Sequence, residues 1–559
     1  MNRYYTTIIG LTVAILLVFS SCTKDLDSSN FITHPINDIT IEGIQTRYTV
    51  ELGSVLTIEP QLTFALGEAS STYRYGWFLV HSLHSSELLS EERNLVLPIE
   101  GTFGRIGRTF NLAFQITDLN TGVIYQRNFE LNVRIRHQIG HWILHEREND
   151  FDITLLSPFQ DSLFRFDNML DVFDSALPRV GETPKALYLF ANTAAPTPVR
   201  RDGSNYSAII RTDRATNSIR SLDFGFEPEH YNISAFVQRG DLLLTPGFNP
   251  QAMTVAVRAH APAWAQMYMY YNGNIHFASF GLFTIPFWFP INRMADENNQ
   301  APFTVSPFMF ASQQHGAILF DKDNRRFVRI NGTRMAGIQT PSSHFLFSHR
   351  LNDDPAVAPE DLPFSWTENI ERLVYMGSFG YHDGFAIIKD ELLGKYRWIE
   401  FHLSSAGIEK IFGGIFNDNA FVENIEFFAR FPHRTQTTYL YVATKDNRVF
   451  RIARDRTAMN NPVEITNDVL QSGYRISTFD FIRFSNDARQ HFLTVGSYNP
   501  AGPAGANGRV AMFNVQGGTG ILTPRTFRQG GSANQADDAV ITMEFTGLGR
   551  PVSIGFKGS

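Results

Sequence analysis

Residues 317–330 read Ala-Ile-Leu-Phe-Asp-Lys-Asp-Asn-Arg-Arg-Phe-Val-Arg-Ile. Two short apolar runs, at residues 317–320 and 327–330, flank a turn that is rich in Asp and Asn. Such runs on either side of turn residues are typical of a β-hairpin. The stretch therefore predicts two antiparallel strands joined by a tight turn.

The same strand-turn-strand pattern recurs along most of the chain. Two further clear units lie at residues 386–399 and 439–452, and four weaker ones lie at residues 142–156, 208–222, 267–280 and 493–515. In the last unit, a Gly/Ala/Pro-rich insertion at residues 500–508 replaces the tight turn. The units start about 60 residues apart, and a repeated unit of this kind is typical of a β-propeller or a solenoid.

Each hairpin would supply two strands of a four-stranded propeller blade. Further strands are predicted between the hairpins, for example at residues 373–376 and 425–428. The segments at residues 541–545 and 552–556 are placed to complete the first blade, which would hide open sheet edges. We therefore predict a seven-bladed β-propeller over residues 138–559, with two packed sandwiches as the alternative.

Residues 35–137 are predicted to form a separate all-β domain. Short alternating segments recur, among them residues 39–41, 55–58, 73–80, 95–97, 110–116 and 129–135. About seven short strands in roughly 100 residues fit an immunoglobulin-like sandwich. Trp77 is placed to be the central core tryptophan, although a ligand platform is the alternative.

Three motifs in this domain carry a family resemblance. They are Tyr73-x-Tyr75-x-Trp77, Asn94-Leu95-x-Leu97-Pro98, and the turn Ile116-Thr117-Asp118-Leu119-Asn120-Thr121-Gly122. Together with Trp142-Ile143-Leu144 and the overall layout, they resemble the PKD-like family of surface lipoproteins, which are encoded beside SusC/SusD-type outer-membrane nutrient importers. The resemblance implies an immunoglobulin/PKD-like sandwich, a surface location and association with an importer. It implies no catalytic residue.

The N-terminus has the features of a secretion signal. Arg3 precedes an apolar run at residues 8–19, and Ser20 and Ser21 precede Cys22. The run is shorter than the roughly 20 residues of a membrane-spanning helix. The segment Phe19-Ser20-Ser21-Cys22 resembles a lipobox, with Phe19 in place of the usual Leu. Residues 24–27 resemble the acidic export signal of Bacteroidota lipoproteins. We therefore expect a signal peptide at residues 1–21, a lipidated tether at residues 22–34 and anchoring at the outer face of the outer membrane. A plain signal peptide with an incidental cysteine is the alternative.

Composition limits the possible partners. The net charge is −7, which argues against nucleic acid as a partner because such proteins usually carry a basic patch. Cys22 is the only cysteine, so the sequence predicts no intramolecular disulfide. Packing must therefore stabilise the fold, and a chain of 559 residues can bury a large core.

The segment at residues 264–290 is unusually aromatic. Its charge-free part, residues 283–290, contains two prolines and is predicted to be a loop. An apolar loop either covers the sheet core or meets a partner. The candidate contacts with an importer subunit or a hydrophobic ligand are Phe283, Phe287, Trp288, Phe289, Tyr270 and Tyr271.

The sequence gives no positive sign of catalysis or metal binding. It contains no Gly-x-Ser-x-Gly elbow, no His-Glu-x-x-His motif and no Walker loop. His141 and His145 are poorly spaced on a strand for a shared metal, and the acidic turn at residues 321–324 lacks the rest of a calcium loop. A carboxylate pair for glycoside hydrolysis cannot be picked out, and we expect no cofactor.

These observations favour a non-enzymatic accessory protein that binds a glycan or peptide ligand for a SusC/SusD-like TonB-dependent importer. The alternative is a propeller-type surface hydrolase or lyase that acts on polysaccharide or peptide. A purely structural or adhesive module is a third hypothesis.

Overall fold

The computed structural model describes most of the chain and confirms an all-β protein. The described residues are 36–82, 85–99, 103, 109–134, 140–159, 162–191, 206–220, 224–228, 248–257, 265–280, 285–286, 290–294, 302–312, 315–331, 348–355, 357, 362–379, 382–404, 407–431, 439–454, 459, 461–483, 491–516, 519–529 and 539–557. Within them, no helix is both long and apolar enough to cross a membrane. Residues up to Arg134 form one compact unit, and the residues after it form a second.

The described residues of the N-terminal unit form nine strands in three sheets. Its largest sheet has the order β2 (Arg47–Glu51), β9 (Ile124–Arg134), β8 (Thr109–Asp118), β5 (Tyr73–Ser82) and β6 (Ser85–Ser90). Only the β2–β9 pair in it is parallel. Two smaller antiparallel pairs join β1 (Ile39–Glu42) to β4 (Gln61–Phe64) and β3 (Val55–Ile58) to β7 (Leu95–Pro98). A 3-10 helix lies at Glu68–Ser70.

Trp77 lies in the core of the N-terminal unit, which confirms the prediction of a core role. Its side chain is fully buried, its ring centroid lies 4.3 Å from that of Phe114, and its indole nitrogen donates to the carbonyl of Glu92 at 2.9 Å.

The motif Thr-Asp-x-x-Thr-Gly also has a structural role. Burial would raise the pKa of Asp118, but hydrogen bonds from Ser71, Asn120 and Thr121 outweigh it and lower the pKa. The Asp118 carboxylate therefore caps the turn.

In the part of the C-terminal unit that the structure describes, the strands form seven principal sheets, which we number in chain order. Sheet 1 is β12 (Ser162–Phe166), β11 (Phe151–Phe159), β10 (Gly140–Glu146) and β39 (Pro551–Lys557). Sheet 2 is β13 (Pro184–Ala191), β14 (Tyr206–Thr212) and β15 (Thr216–Arg220). Sheet 3 is β16 (Ala252–Val257), β17 (Ala265–Tyr271), β18 (Asn274–Phe280) and β19 (Ile285–Pro286).

The remaining sheets follow the same antiparallel order. Sheet 4 is β20 (Phe310–Ser312), β21 (Gly316–Asp321), β22 (Arg326–Asn331) and β23 (Ser348–Arg350). Sheet 5 is β24 (Ile370–Ser378), β25 (Asp383–Asp390), β26 (Tyr396–Leu403) and β27 (Ile408–Phe416). Sheet 6 is β28 (Ile425–Arg430), β29 (Tyr439–Thr444), β30 (Val449–Ala453) and β31 (Val463–Glu464).

Sheet 7 is β32 (Arg475–Arg483), β33 (His491–Tyr498), β34 (Gly508–Val515) and β35 (Leu522–Pro524), and β38 (Glu544–Leu548) also pairs with β34. A separate pair joins β36 (Thr526–Gln529) to β37 (Ala539–Thr542). Short α-helices lie at Met169–Val172, Asn419–Glu423 and Thr466–Val469.

All seven predicted hairpins are confirmed. They are β10–β11, β14–β15, β17–β18, β21–β22, β25–β26, β29–β30 and β33–β34. The turn between β17 and β18 has the residues that a two-residue hairpin turn requires. In β17–β18, Asn272 and Gly273 both have positive φ, 48° and 81°, as an Asn-Gly hairpin turn requires.

One of the two terminal segments completes sheet 1 as predicted. β39 pairs with β10, with Trp142 opposite Gly555. The prediction for residues 541–545 was wrong, since β38 pairs with β34 of sheet 7 instead. The reason is a long-range match: the guanidinium of Arg509 donates to the carboxylate of Glu544 at 2.7 Å, and Met543 is buried beside Val510.

Buried side chains fill the spaces between successive sheets. Sheets 1 and 2, 3 and 4, 4 and 5, 5 and 6, 6 and 7, and 7 and 1 each share an apolar cluster. Sheets 2 and 3 meet where β13 contacts β16. The core of the C-terminal unit is therefore a series of inter-sheet layers rather than one central cluster.

Three histidines of this core are held in the neutral form. Burial lowers the pKa of His141 to about 3, and the charge of Arg525 adds to the effect. Burial also lowers the pKa of His145 and of His276 to about 4. The Nε2 atom of His145 lies 3.1 Å from the hydroxyl of Thr154, so this ring is part of the packing between β10 and β11.

These histidines predict acid sensitivity. Below a pH of about 6.5 they bind protons in the unfolded state but not in the folded state, so stability falls as the pH drops from 6.5 towards 4. At pH 4.5 each contributes a loss of roughly 2.5 kcal/mol. In urea unfolding at pH 7.5 and 4.5, His145→Gln should narrow the pH difference by about that amount, because glutamine can bond Thr154 but does not titrate. The control is His81→Gln at an exposed position. If the two variants lose the same free energy of unfolding between pH 7.5 and pH 4.5, the prediction is contradicted.

Candidate functional site

The sequence-predicted contact residues are only partly described. Cys22, Phe283, Phe287, Trp288 and Phe289 lie outside the described residues. Tyr270 and Tyr271 end β17, and both are half-buried. Tyr270 packs against the apolar cluster between sheets 3 and 4, and the ring of Tyr271 lies 4.9 Å from that of Phe248. Both tyrosines therefore contribute to packing within the unit.

The loop predicted for residues 283–290 is corrected at two positions. Residues 285–286 form β19, which pairs with β18 at the edge of sheet 3. Proline is tolerated there because an edge strand needs fewer backbone donors than a central one.

A polar cluster that the sequence did not reveal lies where sheets 4 and 5 meet. It consists of Ser312, His315, His382, Asp383 and His402, and we call it the histidine cluster. Ser312 ends β20, His315 precedes β21, His382 and Asp383 stand at the start of β25, and His402 is near the end of β26. The apolar cluster shared by the two sheets holds these strand ends together.

The side chains of the histidine cluster form a chain of contacts. The Ser312 hydroxyl lies 2.8 Å from Nδ1 of His382, and Nδ1 of His402 lies 2.7 Å from a carboxylate oxygen of Asp383. The ring centroids of His315 and His382 are 4.8 Å apart, and those of His382 and His402 are 6.0 Å apart. Ser312 is fully buried, whereas the other four residues are half-buried and so partly reach solvent.

This geometry differs from a serine hydrolase relay. In such a relay one imidazole bonds both the serine and the aspartate. Here the hydroxyl of Ser312 bonds His382 and the carboxylate of Asp383 bonds His402. The cluster is arranged as two neighbouring pairs, which suits hydrogen bonding to a ligand better than activation of a nucleophile.

Arg329 adds a positive charge beside the histidine cluster. One of its terminal nitrogens lies 3.4 Å from the carbonyls of His315 and Ser404, which is a long distance for a hydrogen bond. Its Nε atom is buried and has no hydrogen-bond partner among the described residues, and no carboxylate in those ranges forms an ion pair with it. Burial lowers the pKa of Arg329, and a guanidinium in this state favours an anionic partner.

A buried ion pair lies next to the histidine cluster. The Nε atom of Arg430 lies 2.5 Å from one oxygen of Glu400, and Nε of Arg454 lies 3.2 Å from the other. The Arg430 guanidinium also stacks 4.4 Å above the ring of Phe379. Burial lowers the pKa of Arg430, while the charge of Glu400 opposes the shift. Glu400 and Arg430 are the most completely buried charges of this region, and they join sheet 5 to sheet 6.

The described residues do not form a metal site. No group of three or more His, Cys, Asp or Glu side chains in those ranges could hold a metal ion. The acidic turn after β21 has a structural role, since the carboxylate of Asp321 accepts hydrogen bonds from the backbone of Asp323 and Asn324 and from Arg326. A calcium ion would have to compete with all three donors.

The comparisons with known proteins concern the fold and the N-terminal part. The model of the PKD-like family matches residues 26–176, which confirms that part of the resemblance. No curated protein is similar to the chain in sequence.

Several solved structures share weak overall similarity with the chain. A quinonprotein alcohol dehydrogenase-like protein from Bacteroides thetaiotaomicron is 10% identical, with 93% of this chain and 99% of that chain covered and a TM-score of 0.35. A putative 6-phosphogluconolactonase from Bacteroides uniformis is 13% identical, with coverage of 75% and 99% and a TM-score of 0.37. A protein from Lactobacillus plantarum is 9% identical, with coverage of 75% and 99% and a TM-score of 0.38. At TM-scores below 0.5, these similarities carry no argument about activity.

Proposed function

We propose that this protein is a lipoprotein of the outer-membrane surface, anchored through Cys22, which serves a SusC/SusD-like TonB-dependent importer as a non-enzymatic binding component. The observation that carries the proposal is the PKD-like match over residues 26–176, which begins four residues after a lipobox-like segment ending in Cys22. The cargo is a glycan or a peptide.

The seven sheets of the C-terminal unit act as the blades of a closed β-propeller in this proposal. Its support is a series of contacts between one edge strand of each sheet and an edge strand of the next sheet. β13 contacts β39 and β16, β20 contacts β16 and β24, and β32 contacts β28 and β39. Between β24 and β28, the rings of Tyr375 and Phe428 stack at 4.9 Å. A closed ring would give ligand-binding residues a rigid support.

The histidine cluster and Arg329 form the ligand site, and the ligand carries a carboxylate. An anion would neutralise the half-buried guanidinium of Arg329, while the half-buried histidines bond polar groups beside it. The buried hydroxyl of Ser312 orients His382. Uronic acids and peptide C-termini both present such a group.

Association with an importer is tested by affinity purification, and anchoring in the membrane is tested with a Cys22 variant. A C-terminally tagged protein should recover a TonB-dependent transporter from detergent-solubilised outer membranes. The matched control is Cys22→Ala, which should fold normally but leave the membrane fraction. The importer proposal fails if no transporter is recovered from intact outer membranes, and the anchor proposal fails if Cys22→Ala remains membrane-bound.

Ligand binding is tested with oligogalacturonate and a tripeptide, each measured by calorimetry. Arg329→Gln should weaken binding of the accepted probe by about tenfold or more, because a hydrogen bond to a charged group contributes roughly 1.5–3 kcal/mol. Lys322→Gln, at an exposed position of the same sheet's hairpin turn, should leave it unchanged. Equal affinities in the two variants would remove Arg329 from the site.

A surface hydrolase or lyase is the second candidate, and the Ser312–His382 hydrogen bond is the observation that favours it. Turnover of polysaccharide or peptide substrates that disappears in both Ser312→Ala and His382→Gln would replace the binding proposal with an enzymatic one.

A further inference from the structure

The large sheet of the N-terminal unit has one face that the core does not cover. Residues of β8 and β9 alternate between the two faces, so Leu112 and Phe129 are buried in the core. Asn111 and Gln115 of β8, and Gln126 and Asn128 of β9, point the opposite way. With Ser82 and Ser86 they line a recess of about 940 Å³, which is within the usual volume of ligand sites.

The amides in this recess are already ordered. The Gln115 side chain donates to that of Gln126 at 2.9 Å, and Gln126 donates to Asn128 at 2.6 Å. Each amide keeps further donor and acceptor capacity towards solvent. At the rim, Arg47 and Glu130 form an ion pair at 2.5 Å, so their charges cancel. The lining therefore offers paired donors and acceptors without net charge.

An aromatic ring lies over Gly76 on the same face. Gly76, Phe78 and Val80 alternate with the buried Trp77 and Leu79, and Val80 lines the recess. A Cβ atom at Gly76 would lie only 2.6 Å from Cε2 of Phe78, so the ring covers the glycine. Phe78 is half-buried and lies opposite Ala113, between Asn111 and Gln115 of β8, so it is a neighbour of the amides on this face.

We propose that this face binds a neutral oligosaccharide, with Phe78 stacking on a sugar ring and the Gln and Asn side chains bonding its hydroxyl groups. The C–H groups on the face of a pyranose pack against an aromatic ring, and its hydroxyls donate and accept in the same way as amides. A peptide strand would instead need free backbone groups or apolar pockets, and the recess offers amide and hydroxyl side chains. This site goes beyond the proposed function, because it is distinct from the histidine cluster and does not depend on an importer.

The test uses the full mature protein in native affinity gels that contain xylan, galactomannan, laminarin or amylopectin. At least one of these neutral polysaccharides should retard the protein. Phe78→Ala and Gln126→Ala should each weaken retention about tenfold, which corresponds to roughly 1.4 kcal/mol. The matched control is Thr57→Ala, at an exposed position on β3 of the same unit.

The outcomes separate this site from the first proposal. Lack of retention in all four gels, or retention that survives both Phe78→Ala and Gln126→Ala, would overturn the oligosaccharide site. Thermal unfolding of each variant excludes misfolding as the cause of a loss, and Gln126→Ala alters only an exposed side chain. Arg329→Gln should retain normal binding to neutral polysaccharide, and Phe78→Ala should still recover the importer, so either proposal can fail alone.

Discussion

Replacing Glu400 with leucine is expected to destabilise the C-terminal unit by roughly 3–5 kcal/mol, because the change leaves a buried guanidinium without its partner. The side chain of Arg430 is 0% exposed and that of Glu400 is 1% exposed. In the variant, the Arg430 guanidinium therefore cannot replace the lost ion pair with hydrogen bonds to water. Arg454 loses its ion pair as well, but its partial exposure, at 19%, lets solvent compensate.

The measurement is the urea midpoint of the C-terminal unit, with Glu371→Leu as the matched control. Glu371 lies in the same sheet and pairs with Lys389 at 3.0 Å, but its side chain is 37% exposed and that of Lys389 is 23% exposed, so the loss of this pair should amount to less than about 1 kcal/mol. The double variant Glu400→Leu/Arg430→Met should regain much of the stability, because an apolar pair removes both buried charges. Similar midpoints for the two glutamate variants would show that the buried pair does not stabilise the fold.

Removing β39 is expected to abolish cooperative folding of the C-terminal unit. This strand supplies the fourth strand of sheet 1, and it also contacts β13 and β32 of the neighbouring sheets. A chain that ends at Arg550 would leave an edge of β10 open, next to the buried Trp142 and Ile143. Open edges with apolar neighbours promote aggregation.

Near-ultraviolet circular dichroism and size-exclusion chromatography would follow the truncated protein. A chain that lacks only residues 558–559 is the control and should behave as the full protein. Addition of a synthetic peptide of residues 550–557 should restore part of the monomeric fraction. A truncated monomer with an unchanged unfolding midpoint would count against closure of the unit by this strand.

The sequence predicted those parts of the fold that local patterns determine. Hairpins such as residues 317–330 combine two apolar runs with a turn, so each can be recognised without its neighbours. The strand β6 of the N-terminal unit was not predicted because it reads Ser-Ser-Glu-Leu-Leu-Ser and lacks a clear alternation. The strands β2 and β4 were also missed, although Arg-Tyr-Thr-Val-Glu and Gln-Leu-Thr-Phe do alternate between polar and apolar residues. The pairing of β38 depends on Arg509, which lies 35 residues before Glu544, and local patterns do not reveal such a match.

The candidate sites were harder to predict than the fold. The histidine cluster draws on residues from 312 to 402, and only the adjacent His382 and Asp383 hint at it in the sequence. The amide recess in the N-terminal unit depends on alternation along two strands and on the position of the Phe78 ring over Gly76. The high aromatic content of residues 264–290 predicted a contact surface there, but the described tyrosines of that segment contribute to packing.

The pairing of β39 with β10 also has a consequence for biosynthesis. Sheet 1 cannot be completed until residues 551–557 have been synthesised, about 400 residues after β10. At roughly 5–20 residues per second, that interval is on the order of 20–80 s. During this time β10 lacks its final partner, and the C-terminal unit remains incompletely folded. For the exported lipoprotein that we propose, the late strand would keep the chain competent for translocation and leave its final assembly to the far side of the membrane.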